Sequence, residues 1–473
     1  MEEYSSFADQ KAAFEALCGY KKCYDVKKRE FRVAGHSAAL YFTYCYANDL
    51  LITNIISFYL SLPEQTALSE DFFIKNCSPC GDFTAAKTYE EAAFDLMRGA
   101  SVLLVCGIER PLMGDTRSLP SRGIDEPETD RVLRGARDGF VENLKQNTAI
   151  LRRRLVMSEL VMKKFDVGKK AKTMVVICYN EGLADKKFVE KIEKKIENID
   201  TDALSMGHES LAECLLHKNW WNPFPKFRYT ERPDAACAMI MEGSVIVMVD
   251  NSPQVMILPC SLFDFLQESD DFYFPPLVGS YMRILRALIF LLSMLVTPVW
   301  YFLIKNPELI PKTLDFLVVK DNPGLPIIVQ LLLVEVLMDG LKLASMNTPS
   351  SLNSSLSIVA GLIIGDFAIQ VGWFIPEVIL YMAFVATANY TQPSFELGYA
   401  IKFCRIILLI SVAIFDFWGL VVGILVFMVM IALNKTVDGS RSYLYPLIPF
   451  RPKVLKRQLF RFSKSRVDRH QNS

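Results

Sequence analysis

The chain has 473 residues, more than the roughly 100 to 200 of one ordinary domain, so two or three structural units are expected. Its 52 Lys and Arg side chains balance 52 Asp and Glu side chains, which excludes an overall positive field that would attract nucleic acid. The apolar content of 51% is only slightly above a globular average, and the excess lies after residue 283. We therefore expect a soluble N-terminal region followed by a membrane domain.

The N-terminus and the cysteines indicate a reducing, cytoplasmic compartment. Met1-Glu-Glu-Tyr-Ser is acidic and lacks the basic and apolar stretches of a secretory signal. The 11 cysteines do not follow the spacing of a disulfide framework, which is typical of reduced thiols. Cys77 and Cys80 form a CxxC, but no second pair or nearby histidine completes a zinc site. We interpret them as incidental thiols and expect no metal site.

The N-terminal half alternates strand and helix patterns. A polar segment at 1–28 precedes strand pairs and apolar helices that predict a first α/β subdomain at 29–134. Its last part, 118–134, has the proline, glycine and charge content of a loop. Helices, a strand and a hairpin turned by Asp250-Asn-Ser252 predict a second α/β subdomain at 135–280.

A membrane domain is predicted at 281–450. Residues 287–304 are uncharged and apolar with Trp300 and Tyr301 near one end, as expected for a spanning helix. Further apolar runs lie at 324–345, 355–373, 375–390 and 403–434. The predicted fold class is an α/β soluble N-terminal region of two subdomains followed by an all-α polytopic membrane domain.

The end of the chain bears on the membrane topology. The run at 403–434 exceeds what a bilayer requires, and Asp416-Phe-Trp-Gly419 interrupts it, so it is one long tilted helix or a tight pair. The basic tail, 451–473, carries eight Lys or Arg against one Asp, which favours the cytoplasmic side. With the soluble region on that side too, the number of crossings is even. Four or six crossings fit, with interfacial or re-entrant segments as alternatives.

No motif indicates catalysis. Gly168-Lys-Lys lacks the upstream glycine of a P-loop, and no GxGxxG opens a helix after a strand. His208-Glu209 has no partner histidine for zinc, and Gly35-His-Ser37-Ala-Ala39 lacks the last glycine of a nucleophile elbow. We therefore expect no enzymatic activity, no catalytic residues and no cofactor.

Acidic residues inside the apolar segments are the candidate functional residues. Glu335 and Asp339 are four residues apart and share a helix face, and Lys342 follows three residues later. Asp366 stands alone in an apolar run. An ionised side chain at the bilayer centre costs about 2.5 to 3.5 kcal/mol, so such groups usually face a bundle interior or an aqueous path. We name Glu335, Asp339 and Asp366 as candidate pore or gate residues.

Each candidate has an alternative interpretation. Glu335, Asp339 and Lys342 also fit an amphipathic helix that lies in the membrane plane with its charges in the headgroups. Asp366 also fits a hydrogen bond that holds two helices together.

A basic stretch from Lys145 to Lys172 carries nine Lys or Arg against two acids. It lacks the interleaved aromatic platforms of a single-strand nucleic-acid site. A solvated face, or contact with anionic lipid headgroups, is the expected role.

Several long stretches carry a family resemblance, namely Gly135–Arg154, Asn306–Pro311, Pro393–Gly398 and Tyr443–Pro449. Taken in order over residues 30–450, the chain resembles the spore germination receptor A-subunit family of endospore-forming bacteria. Three further stretches resemble a sporulation branch of this family more closely, namely Trp221–Asp234, Asp250–Pro259 and Ile364–Gly372. The chain also lacks the long polar N-terminal tail of many nutrient-receptor A subunits.

The resemblance implies a protein of the inner spore membrane that oligomerises through its membrane domain into a channel for monovalent cations during germination. The soluble domains would face the spore core. Implied partners are the lipid bilayer, further copies of the chain and membrane proteins of the germination apparatus, with no nucleic acid. A nutrient germinant receptor A subunit and a non-conducting scaffold for germination proteins are the alternatives.

Overall fold

A computed structural model of the chain describes residues 7–75, 83–118, 135–216, 222–268, 270–319, 324–349, 361, 367–437, 439 and 442–462. The chain divides into two compact units. The first comprises Met1–Lys218 and Phe227–Pro259, and the second comprises Asn219–Lys226 and Cys260–Ser473.

The first unit contains helices and short strands in alternation. Its helices are α1 Phe7–Leu17, α2 Asp49–Leu60, α3 Glu70–Lys75, α4 Tyr89–Met97, α5 Leu144–Arg154, α6 Lys186–Glu197, α7 His208–Leu215 and α8 Pro233–Met241. Its strands are β1 Val26–Val33, β2 His36–Thr43, β3 Phe83–Ala85, β4 Ser101–Val105, β5 Leu112–Gly114, β6 Leu160–Val167, β7 Thr173–Asn180, β8 Arg228–Thr230, β9 Val245–Val249 and β10 Val255–Leu258.

The strands form two antiparallel sheets with the same strand order. The first sheet has the order β1-β2-β4-β5-β3, and the second has the order β6-β7-β9-β10-β8. The helices also occur at equivalent places, since one precedes each sheet, two follow its second strand and one follows its third strand. The described part of the first unit therefore contains two copies of one topology, helix-strand-strand-helix-helix-strand-helix-strand-strand. The predicted α/β region of two subdomains is confirmed.

Both faces of the first sheet are covered by apolar side chains. Neighbouring residues of β2 point to opposite faces, as the two-residue period of a strand requires. Leu40 packs in a cluster with Ile55 and Tyr59 of α2, whereas Tyr41 packs with Phe14 of α1 and with residues of α4. The edge strand β1 carries exposed or half-exposed charges, which disfavour pairing with another sheet edge.

The two copies are joined by a buried ion pair. Arg152 of α5 donates from Nε to Asp25 Oδ2 at 2.6 Å and from Nη2 to Asp25 Oδ1 at 3.1 Å. Neither side chain is exposed. Tyr24 precedes Asp25 in the sequence, and its main-chain amide donates to the Met162 carbonyl at 2.8 Å. The first unit therefore has a charged contact inside its core that links both copies.

The second unit is built from helices. They are α9 Asp270–Tyr273, α10 Pro276–Lys305, α11 Ile327–Asn347, α12 Ala368–Gln370, α13 Pro376–Tyr390, α14 Phe395–Leu433 and α15 Pro452–Leu459. Short 3₁₀ segments occupy Leu262–Leu266, Pro307–Leu309 and Lys312–Leu317. Among the residues described, α10 and α14 are long and apolar enough to cross a membrane by length and composition. The helical C-terminal part of the predicted fold class is confirmed.

The long helix α14 reverses direction at Asp416. This residue has φ 54° and ψ −126°, which is not helical. A Cβ on Gly419 would clash with the Ser411 carbonyl, and one on Gly423 would lie 2.6 Å from Leu408 Cδ2. In a straight helix, Gly423 and Leu408 would be about 22 Å apart along the axis. Of the two arrangements predicted for this run, the structure shows the tight pair.

The two segments of α14 have lengths suited to a bilayer. Residues 395–415 span about 31 Å and residues 417–433 about 25 Å at the usual helical rise, close to the roughly 30 Å of a hydrocarbon core. Gly419 and Gly423 allow the segments to approach closely, because the missing Cβ atoms are where the opposite segment packs.

Candidate functional site

Two of the three candidate residues from the sequence lie together on α11. Glu335 is buried, with 3% of its surface exposed, whereas the Asp339 side chain is 39% exposed. Both point to the same side of the helix, as their spacing predicts. Asp366 lies outside the described residues.

Both carboxylates are paired with cations of the first segment of α14. Arg405 donates from Nε to Glu335 Oε1 at 2.6 Å. Lys402 lies between the two acids, because its Nζ is 3.5 Å from Glu335 Oε2 and also forms an ion pair with Asp339 Oδ2. The same Nζ donates to the main-chain carbonyl of Glu335 at 3.0 Å. We call Glu335, Asp339, Lys402 and Arg405 the ion-pair cluster.

Arg405 also ties the cluster to a third helix. Its Nη1 donates to the main-chain carbonyl of Ser293 in α10 at 2.9 Å, and its side chain is fully buried. The cluster therefore connects α10, α11 and α14. Two acids and two bases leave no net charge, which lowers the penalty of placing ions in an apolar helical unit.

A cavity of about 90 Å³ borders the ion-pair cluster. Its wall is formed by α11, by α13 with the turn that follows it, and by the start of α14. Glu335, Asp339 and Lys402 contribute to it, together with Lys342. The cluster is thus buried on the side of Arg405 and reaches an open space on the side of Asp339.

Lys342 lies over two aromatic rings at the cavity wall. Its Nζ is 3.9 Å from the ring centroid of Phe395 and 4.6 Å from that of Tyr399. Such cation–π contacts stabilise an ammonium where hydration is incomplete. The pore and the in-plane helix interpretations of Glu335, Asp339 and Lys342 both stay predictions.

A second polar contact lies where α14 reverses. Asp416 accepts a hydrogen bond from Asn306 Nδ2 at 2.8 Å, and its carboxylate lies 3.3 Å from Lys305 Nζ. Lys305 Nζ also donates to the main-chain carbonyls of Val412 and Ala413 at 3.2 Å. These carbonyls lie in the last turn of a helical segment, so the lysine supplies a donor there and complements the helix dipole.

The sequence interpretation missed the cations of the cluster. Lys402 and Arg405 are three residues apart at the start of an apolar run, so they share a helix face. Two bases with helical spacing match the two acids of α11, and this charge balance was the available signal. This charge balance indicates that the two helices pair, but it does not determine which of their faces are in contact.

The described cysteines and acids give no positive sign of metal or thiol chemistry. No group of three or more His, Cys, Asp or Glu that could hold a metal is found in the described part of the chain. Burial raises the pKa of the Cys18 and Cys237 thiols to about 12, so both are protonated at neutral pH. Cys77 and Cys80 lie outside the described residues.

His208 and Ser252 form a close contact in the first unit. His208 Nδ1 lies 2.5 Å from Ser252 Oγ, and that hydroxyl also donates to the Gln254 carbonyl at 3.2 Å. Ser252 is buried in the turn between β9 and β10. The pair therefore fixes α7 against this turn, and burial lowers the pKa of His208.

The family model described as "Bacillus/Clostridium GerA spore germination protein" matches residues 15–472. The chain belongs to this GerA family. The resemblance predicted from the sequence is confirmed, and the match covers both the α/β unit and the helical unit of this GerA-family chain.

Curated relatives of this GerA-family chain include proteins of sporulation and germination. Stage V sporulation protein AF of Bacillus subtilis (strain 168) is 35% identical over 463 residues, covering 98% of this chain and 93% of that protein. Spore germination protein KA of the same strain is 29% identical, covering 92% and 81%. Spore germination protein A1, also of that strain, is 27% identical, covering 77% and 74%.

Among solved structures, a chain of a germinant receptor is similar to the GerA-family chain. It is the N-terminal domain of the A subunit of the Bacillus megaterium spore germinant receptor GerK3, with a TM-score of 0.41 and 24% sequence identity. The similarity covers 54% of this chain and 97% of that one.

Proposed function

We propose that this protein is a membrane subunit of the spore germination apparatus that contributes to cation release across the inner spore membrane. Family membership supports a role in germination, and α10 and α14 support insertion in a bilayer. The observation that carries the ion-path role is the ion-pair cluster, which places two carboxylates of α11 at a cavity between helices.

The cluster has the properties of a gate. Glu335 is held by both Arg405 and Lys402, whereas Asp339 has Lys402 as its ion-pair partner and is partly exposed. A change in the side-chain conformation of Lys402 that moves its ammonium away would release Asp339 while Glu335 keeps Arg405. Asp339 then becomes a carboxylate that attracts cations. Asp366 remains a further candidate for the same path.

The proposed arrangement is oligomeric, as the family resemblance implies. Other copies of the chain and membrane proteins of the germination apparatus are the proposed partners in the bilayer. The α/β unit and the basic tail are proposed to face the spore core, because cytoplasmic segments favour Lys and Arg.

The test is cation conductance of the purified full chain in planar bilayers, together with cation release from germinating spores. Asp339→Asn and Glu335→Gln are expected to change both, and the exposed Glu308→Gln serves as the matched control. Conductance and release that stay the same in both cluster variants would remove the ion-path role. Germination that fails without any change in conductance would favour the scaffold.

A nutrient germinant receptor A subunit is the second candidate function. Similarity to spore germination proteins KA and A1 favours it. Spores that lack the gene would then lose the response to one nutrient germinant while keeping the response to others. Under the leading proposal, the rate of cation release falls for every germinant.

A further inference from the structure

The cavity beside the ion-pair cluster contains polar groups that have no hydrogen-bond partner in the part of the chain that the structure describes. Gln392 is 8% exposed, and both its Oε1 and its Nε2 lack a hydrogen-bond partner among the described residues. Asn389 Oδ1 is buried and equally unpartnered there. Both residues line the cavity. Buried polar groups in proteins are nearly always hydrogen-bonded, so these two indicate that the cavity holds a polar occupant.

The cavity also has one positive charge in excess. The ion-pair cluster is neutral, because Lys402 and Arg405 balance Glu335 and Asp339. Lys342 adds an ammonium, and no carboxylate of the described chain lies within ion-pair distance of it. Its contacts are with the faces of two aromatic rings, which leave its N–H donors available.

The size of the cavity limits the occupant. Its volume of about 90 Å³ is below the roughly 150 Å³ of a protein cavity that accommodates benzene. A solute of a few non-hydrogen atoms fits, with or without a water molecule. A glycerophospholipid headgroup does not.

We propose that this cavity is a binding site for a small monoanion, such as a carboxylate of formate or acetate size. Lys342 balances the charge of the anion, and Gln392 donates from Nε2 to one of its oxygens. A water molecule beside the anion donates to the remaining amide oxygens of Gln392 and Asn389. Asp339 does not repel the anion strongly, because Lys402 neutralises it. The site belongs to the state in which Lys402 pairs with Asp339, and it requires neither conductance nor germination.

Thermal unfolding of the purified full chain in detergent tests the site. Sodium formate is titrated against sodium gluconate at constant ionic strength, and the unfolding midpoint is followed by tryptophan fluorescence. A ligand that binds only the folded state stabilises it in a saturable way. We expect the unfolding midpoint to rise in a saturable way with formate and to stay unchanged with gluconate. Choline formate should give the same rise as sodium formate.

Three variants assign the response to the cavity. Lys342→Met is expected to abolish it, and Lys342→Arg to retain it. The exposed Lys456→Met is the matched control and should behave like the wild type. A formate response that is absent from the wild type, or that persists in Lys342→Met, would overturn the proposal.

Gln392→Met keeps the test valid if the lysine variants do not fold. It removes the unpartnered amide with little change in side-chain volume, so the apo protein is expected to fold. The apparent affinity for formate should fall about tenfold, as expected for one hydrogen bond to a charged group. An unchanged affinity would contradict the assigned role of Gln392 and, with it, the site.

Discussion

Arg152 and Asp25 form a two-point ion pair between the two copies of the topology in the first unit, and both side chains are completely buried. Breaking such a pair leaves an uncompensated charge in the core, which is far more destabilising than loss of an exposed pair.

Asp25→Asn is expected to lower the free energy of unfolding by about 3 to 5 kcal/mol, because Arg152 loses its counter-charge. The control is Glu181→Gln, which breaks the exposed contact of Lys22 with Glu181, a pair that also joins the two copies. That variant should lose no more than about 1 kcal/mol. Denaturant unfolding of the full chain measures both, and equal losses would show that burial of the pair is unimportant.

Glu335→Gln is expected to destabilise the helical unit by about 3 to 5 kcal/mol, because it leaves Arg405 buried without a carboxylate. The double variant Glu335→Gln with Arg405→Met should recover much of this loss, since no buried charge then remains. Asp339→Asn should have a smaller effect because Asp339 is partly exposed. Thermal unfolding in detergent measures all three. Additive losses in the double variant would contradict the pairing.

Gly419→Ala is expected to lower stability by about 1 to 3 kcal/mol, because its Cβ meets the Ser411 backbone in the opposite segment of α14. Gly340→Ala in α11 is the matched control, since a Cβ there meets open space. Alanine has the higher helix propensity, so the control should be neutral or more stable. If both variants unfold at the same temperature, the close approach of the two segments is wrong.

His208 is expected to make the first unit less stable in mild acid. Burial lowers its pKa in the folded protein below the ordinary value of 6.5, so the unfolded chain takes up a proton first as pH falls. The contribution of His208 to stability is therefore complete above pH 6.5, and it is lost as the pH falls towards the pKa of the folded state. His208→Gln should reduce this slope below pH 6.5, as measured by denaturant midpoints. Identical slopes in the two proteins would exclude His208 as the cause.

The sequence predicted the local patterns and left open the contacts between distant segments. The common face of Glu335 and Asp339 follows from helical spacing alone. Their pairing with Lys402 and Arg405 does not, because those residues come 67 and 70 positions after Glu335 and depend on how two helices pack. In the sequence, the equal number of acids in α11 and bases at the start of α14 was the one indication of this pairing.

The amino-acid sequence does not reveal the duplication in the first unit, and the reason is physical. The two copies share strand order, but their hairpins differ, since residues 34–35 connect β1 to β2 and residues 168–172 connect β6 to β7. Hydrogen bonds between strands maintain this topology, and many side-chain patterns satisfy them. The two copies therefore share the order of their helices and strands, although the sequences of their turns differ.

The reversal at Asp416 has a consequence for sidedness. A tight pair that crosses a bilayer returns the chain to the side from which it entered. Two crossings by α14 therefore leave unchanged whether the total number of crossings is even or odd. The side on which the residues after Leu433 emerge is then the side on which Phe395 begins. Whether the C-terminal end lies inside or outside is therefore decided entirely by the segments before Phe395.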